Sequence, residues 1–341
     1  MAPRGAALEH PRVDVAEFDL IELIRARCAI AREDVRLGIG DDAALLAVPA
    51  GQLLAVSTDT LVAGVHFPHD TNAYDIGWKA LAVNLSDLAA MGATPAWATL
   101  ALTLPQADAR WVEEFADGFA ALAREYKLAL VGGDTTQGPL TISITVHGFV
   151  GEPVALRRGG ARVGDGVFVT GTLGDAAAGL RCLDKQADDA HRLLAAPIGS
   201  REFLIERLHR PTPRIAAGQV LRGHASACID VSDGLLADLA HICAASSVGA
   251  EIDAQELPSS SALIAAFDGD ARRQFQLAGG DDYELCFSAN EAASSRLLGD
   301  LARSGCGATR IGRIVAGEGV RVRDAQGNEI AAPRAGWEHF A

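Results

Sequence analysis

The chain has 341 residues, of which 49% are hydrophobic, so it is long enough for two domains with a sizeable core. Its formal net charge of −14 comes from 30 basic and 44 acidic residues, and the absence of a Lys- or Arg-rich run argues against a nucleic-acid partner. The six cysteines form no CxxC pair, no apolar run reaches about 18 residues, and no signal peptide is visible. These features predict a cytoplasmic protein with reduced thiols and no membrane partner.

Hydrophobic periodicity predicts alternating helices and strands along the chain. In the first half, helices are expected at 18–30, 75–91 and 108–126, and strands at 53–60, 97–104, 128–136 and 140–150. In the second half, the pattern predicts a strand, a glycine turn and a helix within 167–180, a helix within 211–221, and strands near 228 and after 282. A linker-like stretch at 151–160 places a domain boundary near residue 150, which divides the chain into 1–150 and 151–341.

The stretch 79–92 has the composition of a helix that is buried on most sides, with Gly92 expected just past its end. It nevertheless carries Asp87 near its centre, with Asn84 and Lys79 on roughly the same side. A buried carboxylate without a partner costs several kcal/mol, so Asp87 requires an ion pair with Lys79 or a distant arginine, or a metal ion. The stretch alone favours the ion pair, whereas the other acidic clusters of the chain favour the metal.

Those clusters share one pattern, in which an apolar segment delivers acids to a junction next to glycines or hydroxyl residues. They are Asp41/Asp42, Ser57/Thr58/Asp59, Gly133/Asp134, Asp230/Ser232/Asp233 and Asp281/Asp282. Each has an ordinary alternative, such as a turn or, for Asp233, a helix N-cap. Carboxylates that converge repel one another, so we expect cations to hold them together. The all-oxygen ligand set favours Mg²⁺ or Mn²⁺ over zinc.

A polyacidic site with several metal ions suits polyphosphate chemistry. Arg157 and Arg158 are the local candidates for pairing with phosphate oxygens, although loop arginines are usually just solvated. His66 is a weaker candidate for a substrate contact. The Walker motif, the protein-kinase signatures and a legible Ser-His-Asp or Cys-His arrangement are all absent from the sequence.

Six ordered motifs closely resemble those of the thiamine-monophosphate kinase family. They lie at 38–43, 57–67, 79–92, 131–136, 230–234 and 279–285, and the resemblance extends from about residue 17 to the C-terminal segment 337–340. One departure is visible, because Asp281 stands where the family usually has Glu in its Gly-Gly-Glu-Asp-Tyr motif.

The resemblance implies the fold of the aminoimidazole ribonucleotide synthetase superfamily, which is α/β of the α+β type with two domains and mixed sheets flanked by helices. It also implies a homodimer in which the N-terminal sheet pairs with that of a partner. The implied activity is ATP-dependent phosphorylation of thiamine monophosphate to thiamine diphosphate, the final step of thiamine diphosphate biosynthesis, by direct in-line transfer assisted by several Mg²⁺ ions.

Carried over position by position, the resemblance implies three sets of site residues. The metal ligands would be Asp42, Ser57, Thr58, Asp59, Asp87, Asp134, Asp230 and Asp233; the ATP contacts Gly133, Asp134, Arg158 and Ser232; and the substrate contacts His66, Asp281 and Trp337. No general base is expected, because the acceptor is already an ionised phosphate oxygen and catalysis reduces to bringing two anions together.

Two other interpretations stay open at this point. Another ATP-using member of the superfamily, such as selenophosphate synthetase, would need a reactive cysteine in a Gly-rich segment with a nearby lysine, a context that Cys28 lacks. A non-catalytic scaffold would not need Arg158 together with the full set of acids.

Overall fold

The computed structural model describes residues 16–184, 197, 199–331 and 336, and it contains two large β-sheets. Up to residue 150 the elements are α1 (Glu17–Arg27), β1 (Val35–Leu37), β2 (Leu45–Leu46), β3 (Leu53–Val62), α2 (Ala73–Ala90), β4 (Thr94–Leu104), α3 (Ala109–Glu125), β5 (Ala129–Gln137) and β6 (Thr141–Val150). Each of these helices and long strands was predicted from the sequence. The helix α1 ends at Arg27, earlier than residue 30, and Cys28 is its C-cap.

The second part of the chain begins after a single 3₁₀ turn at Glu152–Val154. Its elements are β7 (Asp165–Thr170), α4 (Asp175–Leu183), α5 (Ser200–His209), α6 (Ile215–Leu221), β8 (Ala225–Val231), α7 (Leu235–Ser246), β9 (Gly249–Asp253), α8 (Ser261–Ala266), α9 (Gly269–Ala278), β10 (Glu284–Asn290), α10 (Ser294–Arg303), β11 (Ala308–Val315) and β12 (Gly319–Arg323). A further 3₁₀ turn lies at Glu291–Ala293.

The first large sheet has the strand order β3-β6-β4-β5, with β4 and β5 parallel and the other neighbours antiparallel. Its central strand β6 alternates as the sequence predicts, because Ile142, Ile144 and Val146 are buried between half-buried polar residues. The second sheet has the order β12-β9-β11-β7-β10-β8 and is antiparallel except between β9 and β12. These mixed sheets with flanking helices confirm the predicted α/β fold class.

Helix α2 lies between the two sheets and contacts strands of both. The alanine- and leucine-rich sequence leaves most of its side chains buried, including Lys79, Asn84 and Ser86. The helix ends at Ala90 with Met91 as its C-cap, and Gly92 follows with φ +64°, as the sequence predicted. A helix that is buried on all sides brings any polar side chain it carries into the interior.

Two glycines allow α2 and α3 to cross with their backbones in contact. A Cβ atom on Gly77 would lie 2.1 Å from the carbonyl oxygen of Phe115, and one on Gly118 would lie 1.9 Å from that of Tyr74. Real side chains do not tolerate such distances, so the crossing depends on the missing side chains at both positions. The crossing presses α2 against the rest of the first domain and thereby fixes its polar residues.

All six cysteines are buried and free. Burial raises the pKa of the Cys28 thiol to about 12 and that of Cys243 to about 11. No helix among the described residues is long and apolar enough to cross a membrane.

We expect Gly118→Ala to lower the free energy of unfolding by about 2–3 kcal/mol, because the added methyl group overpacks the α2–α3 crossing. Urea denaturation of the variant and the wild type measures this difference. Gly269→Ala at the start of α9 is the matched control, since nothing lies within 4 Å of its added Cβ atom, and it should change stability by less than about 1 kcal/mol. Equal stability of Gly118→Ala and the wild type would contradict the close approach.

Candidate functional site

A cavity of about 650 Å³ lies where α2, β3, α4, α5 and the segments following β8 and α9 meet. Five carboxylates line it: Asp59, Asp87, Asp230, Asp233 and Asp281. Apolar side chains cover another part of its wall: Leu61, Val65, Val83, Leu180 and Leu208. The cavity therefore combines an acidic region with an apolar one. Its volume falls in the usual range of small-molecule sites.

The polar residues of α2 fix the acidic region. The Ser57 hydroxyl donates to Asp87 Oδ2 at 2.5 Å, and Asn84 Oδ1 accepts the backbone N–H of Asp59 at 3.0 Å. One residue before Asp87, the Ser86 hydroxyl donates to Asp230 Oδ2 at 2.7 Å. Helix α2 is thus hydrogen-bonded both to Asp59 on β3 and to Asp230 on β8. Sequence reasoning missed Ser86, although a buried serine in an apolar helix was a usable signal.

Repulsion and burial disfavour the charged forms of these acids. Burial, followed by the charges of Asp87 and Asp233, raises the pKa of Asp59 to about 6. Burial and the Asp87 charge raise the pKa of Asp230 to about 8, against the hydrogen bond from Ser86. Burial also raises the pKa of Asp87, and the Ser57 hydrogen bond and the charge of Arg158 oppose this shift. The acidic region is therefore short of positive charge.

The loop between β8 and α7 is fixed by a residue that sequence reasoning missed. Asp238 Oδ2 accepts the backbone N–H groups of Ser232, Asp233 and Gly234 at 3.0, 3.1 and 3.2 Å. The predicted alternative of Asp233 as N-cap was wrong, because the N-cap is Gly234 with φ +118°. Asp238 holds the three residues that precede the helix, and Asp233, which lies among them, lines the cavity. An acid four residues after a glycine at a helix start was the available signal.

The two adjacent acids after α9 have different positions. Asp281 has φ +68° and lines the cavity, where its Oδ2 accepts from Lys79 Nζ at 3.0 Å and its Oδ1 from the Tyr283 hydroxyl at 3.0 Å. Asp282 is only 1% exposed and accepts the backbone N–H groups of Gly174 and Ala176 at the start of α4. Only Asp281 is available to a ligand. The proposed ion pair between Lys79 and Asp87 is not formed, because Lys79 pairs with Asp281.

Three further predicted residues lie at or near the cavity. His66 lines it, and its Nδ1 accepts the backbone N–H of Val62 at 3.0 Å, so the neutral ring carries its proton on Nε2. Thr58 lines it and exchanges a hydrogen bond with Thr145 on β6 at 2.8 Å. Arg158 is exposed, and its charge lowers the pKa of Asp87. All three predicted contacts are thus compatible with a ligand in the cavity.

The structure does not bring the remaining predicted residues into this cavity. Gly133 and Asp134 line a smaller cavity of about 100 Å³ beside α1, together with Ile39. Asp42, three residues after Ile39, is exposed, and its backbone N–H donates to Asp41 Oδ1. Trp337 lies outside the described residues. The predicted site residues thus fall into two groups. The main cluster, at the large cavity, contains Ser57, Thr58, Asp59, Asp87, Asp230 and Asp233, and the second cluster, near β5, contains Gly133 and Asp134.

Strand register shows how far apart the two clusters lie. Asp59 on β3 pairs with Ile144, Ile144 with Leu100, and Leu100 with Gly133 on β5. Three strand spacings separate the ends of this row, which amounts to about 14 Å. Within one chain, Asp134 and Asp59 therefore cannot ligate the same ion. Both end strands have open outer edges in the part of the chain that the structure describes.

The donor chemistry of the main cluster fits Mg²⁺. Its ligand atoms are carboxylate and hydroxyl oxygens, and its raised carboxyl pKa values show that added positive charge would be favourable. Within the described residues, no three His, Cys, Asp or Glu side chains form a preformed cage for one ion. Mg²⁺ sites at phosphates commonly use one or two carboxylates and complete the shell with water and the phosphate oxygens.

Comparison with known proteins gives a consistent result along most of the chain. Residues 40–150 match the model of the AIR synthase related protein N-terminal domain, and residues 162–325 match that of its C-terminal domain. The thiamine-monophosphate kinase of Salmonella typhimurium is 48% identical over 327 residues, which cover 95% of this chain and 98% of the relative.

Two solved structures resemble the fold closely. The crystal structure of thiamine-monophosphate kinase from Stenotrophomonas maltophilia K279a has a TM-score of 0.82 and 54% identity, covering 90% of this chain and 96% of that one. A structure described as AaThiL complexed with AMPPCP and TMP has a TM-score of 0.72 and 32% identity, covering 98% of this chain and all of that one.

We expect the metal-free protein to lose stability as the pH rises from about 4 to about 8. The folded state keeps a proton on Asp230 that the unfolded chain releases, so unfolding becomes easier until the folded-state pKa of about 8 is passed. Asp230→Asn removes this effect and should raise the free energy of unfolding at pH 8 in chelator by about 2 kcal/mol or more. Urea denaturation curves recorded at several pH values between about pH 5 and pH 8 measure the pH dependence of the wild type and the effect of the substitution.

The matched control for this experiment is Asp270→Asn, since the Asp270 side chain is 95% exposed and should matter by less than about 0.5 kcal/mol. An Asp230→Asn variant that is less stable than the wild type at every pH would show that the carboxylate is not repelled in the folded state.

Proposed function

The chain belongs to the thiamine-monophosphate kinase family of AIR synthase related proteins, and we propose that its cavity transfers the γ-phosphoryl group of ATP to the phosphate of thiamine monophosphate. The products are thiamine diphosphate and ADP. The observation that carries the proposal is the convergence of Asp59, Asp87 and Asp230 on one side of a cavity with an apolar region on its wall. The carboxylates would bind the cations that phosphate groups need, and the apolar region suits the rings of thiamine.

We assign several Mg²⁺ ions to the main cluster, held by Ser57, Thr58, Asp59, Asp87, Asp230 and Asp233. Bound there, the ions neutralise the charge of the phosphates and of the transition state. ATP contacts Ser232 and Arg158, whose guanidinium suits pairing with phosphate oxygens. His66 and Asp281 contact the thiamine moiety, and Trp337 stays a predicted contact.

The chain positions the reacting groups and supplies no general base. The acceptor oxygen of thiamine monophosphate is ionised at neutral pH, so no proton has to be removed from it. His66 already uses Nδ1 to accept the Val62 N–H, which leaves a positioning role for the ring. The loop fixed by Asp238 and the buried helix α2 hold the ligands of donor and acceptor in a constant relative position, as in-line transfer requires.

We further propose that the protein is a homodimer in which the second cluster completes the site of the other copy. The outer edges of β3 and β5 are unpaired among the described residues, and exposed apolar side chains follow the β3 edge at Leu53, Leu54 and Val56. Two sheets that join at these edges bring Asp134 of a second copy next to Asp59. Gly133, Asp134 and Asp42 then take their predicted places at ATP and its ions.

The cytoplasm is the compartment that suits this reaction. It supplies ATP, and the six buried thiols require no oxidising environment.

The first experiment measures Mg²⁺-dependent formation of thiamine diphosphate from ATP and thiamine monophosphate. We expect activity from the wild type and a fall in kcat of about 100-fold or more for Asp87→Asn, because a ligand charge is lost without a change of shape. Asp117→Asn on α3 is the matched control and should stay within about twofold, since that residue forms a partly exposed ion pair with Arg27 away from the cavity.

The assay tests the substrate and the role of Asp87 separately. A folded wild type that forms no thiamine diphosphate in the presence of Mg²⁺ would refute the substrate assignment. Full activity of Asp87→Asn would show that the carboxylate is structural and ligates nothing.

The dimer proposal predicts complementation between variants. Asp59→Asn and Asp134→Asn should each be inactive alone, whereas a mixture reassociated from dissociated chains should regain about a quarter of the wild-type activity. Half of the dimers in such a mixture are mixed, and each of these contains one intact site. A mixture of Asp59→Asn with Asp87→Asn should stay inactive, because both residues belong to the same cluster. Failure of the first mixture to regain activity would place all ligands within one chain.

A further inference from the structure

Lys79 is a buried cation that the reaction described above does not use. Its side chain is 2% exposed, yet it lines the cavity. The ammonium group has three N–H donors, and Asp281 accepts from it at 3.0 Å. In the described part of the chain this is the hydrogen bond that Lys79 makes, so two donors are left for a ligand. A buried ammonium with unused donors at a cavity wall is costly unless a ligand accepts from it.

The position of Lys79 on α2 separates it from the metal cluster. Lys79, Val83 and Asp87 are spaced four residues apart and all line the cavity, so they form one stripe of α2 along its wall. A rise of 1.5 Å per residue places Lys79 about 12 Å from Asp87 along the helix axis. The charge of Arg158 lowers the pKa of Asp87, whereas the charge of Lys79 lowers the pKa of His209, which follows the apolar Leu208. Lys79 therefore lies at the end of the cavity remote from the phosphates.

The substrate has a matching order of groups. In thiamine monophosphate the phosphate stands at one end, the thiazolium ring in the middle and the aminopyrimidine at the other end. With the phosphate at Asp87, the thiazolium passes Val83 and the aminopyrimidine reaches Lys79 and Asp281. The edge of the aminopyrimidine presents an amine donor beside a ring nitrogen acceptor. Lys79 and Asp281 present the complementary donor and acceptor, 3.0 Å apart.

We propose that Lys79 is a specificity-determining residue that donates a hydrogen bond to the aminopyrimidine ring nitrogen while Asp281 accepts from the neighbouring amine. The assignment rests on the proposed function and adds Lys79 to its substrate contacts. The Tyr283 hydroxyl holds the other oxygen of Asp281 at 3.0 Å, so the acceptor has a fixed orientation. A substrate edge with the reverse order of donor and acceptor leaves two buried groups unpaired.

Oxythiamine monophosphate is the probe for the wild type, because an oxo group replaces its amine and the adjacent ring nitrogen becomes a donor. We expect kcat/KM for this analogue to be at least about 100-fold lower than for thiamine monophosphate. Equal use of the two compounds would overturn the assignment. A wild type that phosphorylates neither compound refutes the proposed function instead, and binding of both measured by calorimetry then tests the discrimination by itself.

Variants of Lys79 identify the group that it contacts. Lys79→Met should raise the KM for thiamine monophosphate by about 10-fold or more, reduce the discrimination against the analogue, and leave the KM for ATP within about twofold. It should weaken inhibition by thiamine, which lacks the phosphate, by a similar factor. Lys79→Gln keeps a neutral donor and should recover part of the affinity. The same change at the exposed Lys127, Lys127→Met, is the control and should change none of these quantities.

Loss of affinity for thiamine monophosphate with unchanged inhibition by thiamine would show that Lys79 binds the phosphate, and would overturn the proposal. The discrimination by the wild type tests the proposal even where Lys79→Met does not fold.

Discussion

Repulsion between the carboxylates of one cavity is the constraint on which the rest of this structure depends. Burial raises the pKa of Asp59 and of Asp230, the charge of Asp87 raises both further, and folding gains nothing from placing the three acids together. The protein accepts that cost because the surrounding packing determines their positions. The glycine crossing of α2 with α3 and the hydrogen bonds of Ser57, Asn84 and Ser86 hold the three acids in place. In the proposed function, stability is thus lowered at the carboxylates that would bind the cations needed for phosphoryl transfer.

Helix α2 makes hydrogen bonds to both domains at the cavity. Its polar residues contact the first sheet through Asn84 and Asp87, and the second domain through Ser86, which reaches β8, and Lys79, which reaches Asp281 before β10. Each polar residue faces a different partner, so the helix cannot rotate or slide without losing several hydrogen bonds together. These hydrogen bonds of one helix therefore contribute to the relative position of the two domains at the cavity.

Much of this arrangement could be predicted because it follows from local pattern. The alternation of apolar residues along β6 predicts that Ile142, Ile144 and Val146 are buried. The composition of 79–92 predicts a buried helix that carries Asp87. The sequence could not show that Asp281 would face the cavity while Asp282 caps α4, since this depends on the positive φ of Asp281. It also could not show that Asp134 lies about 14 Å from Asp59, because strand order in a sheet is a long-range property.

Asp59 and Asp134 lie on opposite edge strands of one sheet, and this separation bears on how activity depends on protein concentration. In the proposed dimer, a single chain contributes the large cavity but only part of the ligand set around ATP. Catalytic capacity is then a property of the pair, and it rises with the square of the chain concentration when most chains are separate. On this proposal, dilution below the dissociation constant of the dimer lowers the activity per chain, so activity falls more steeply than the amount of protein.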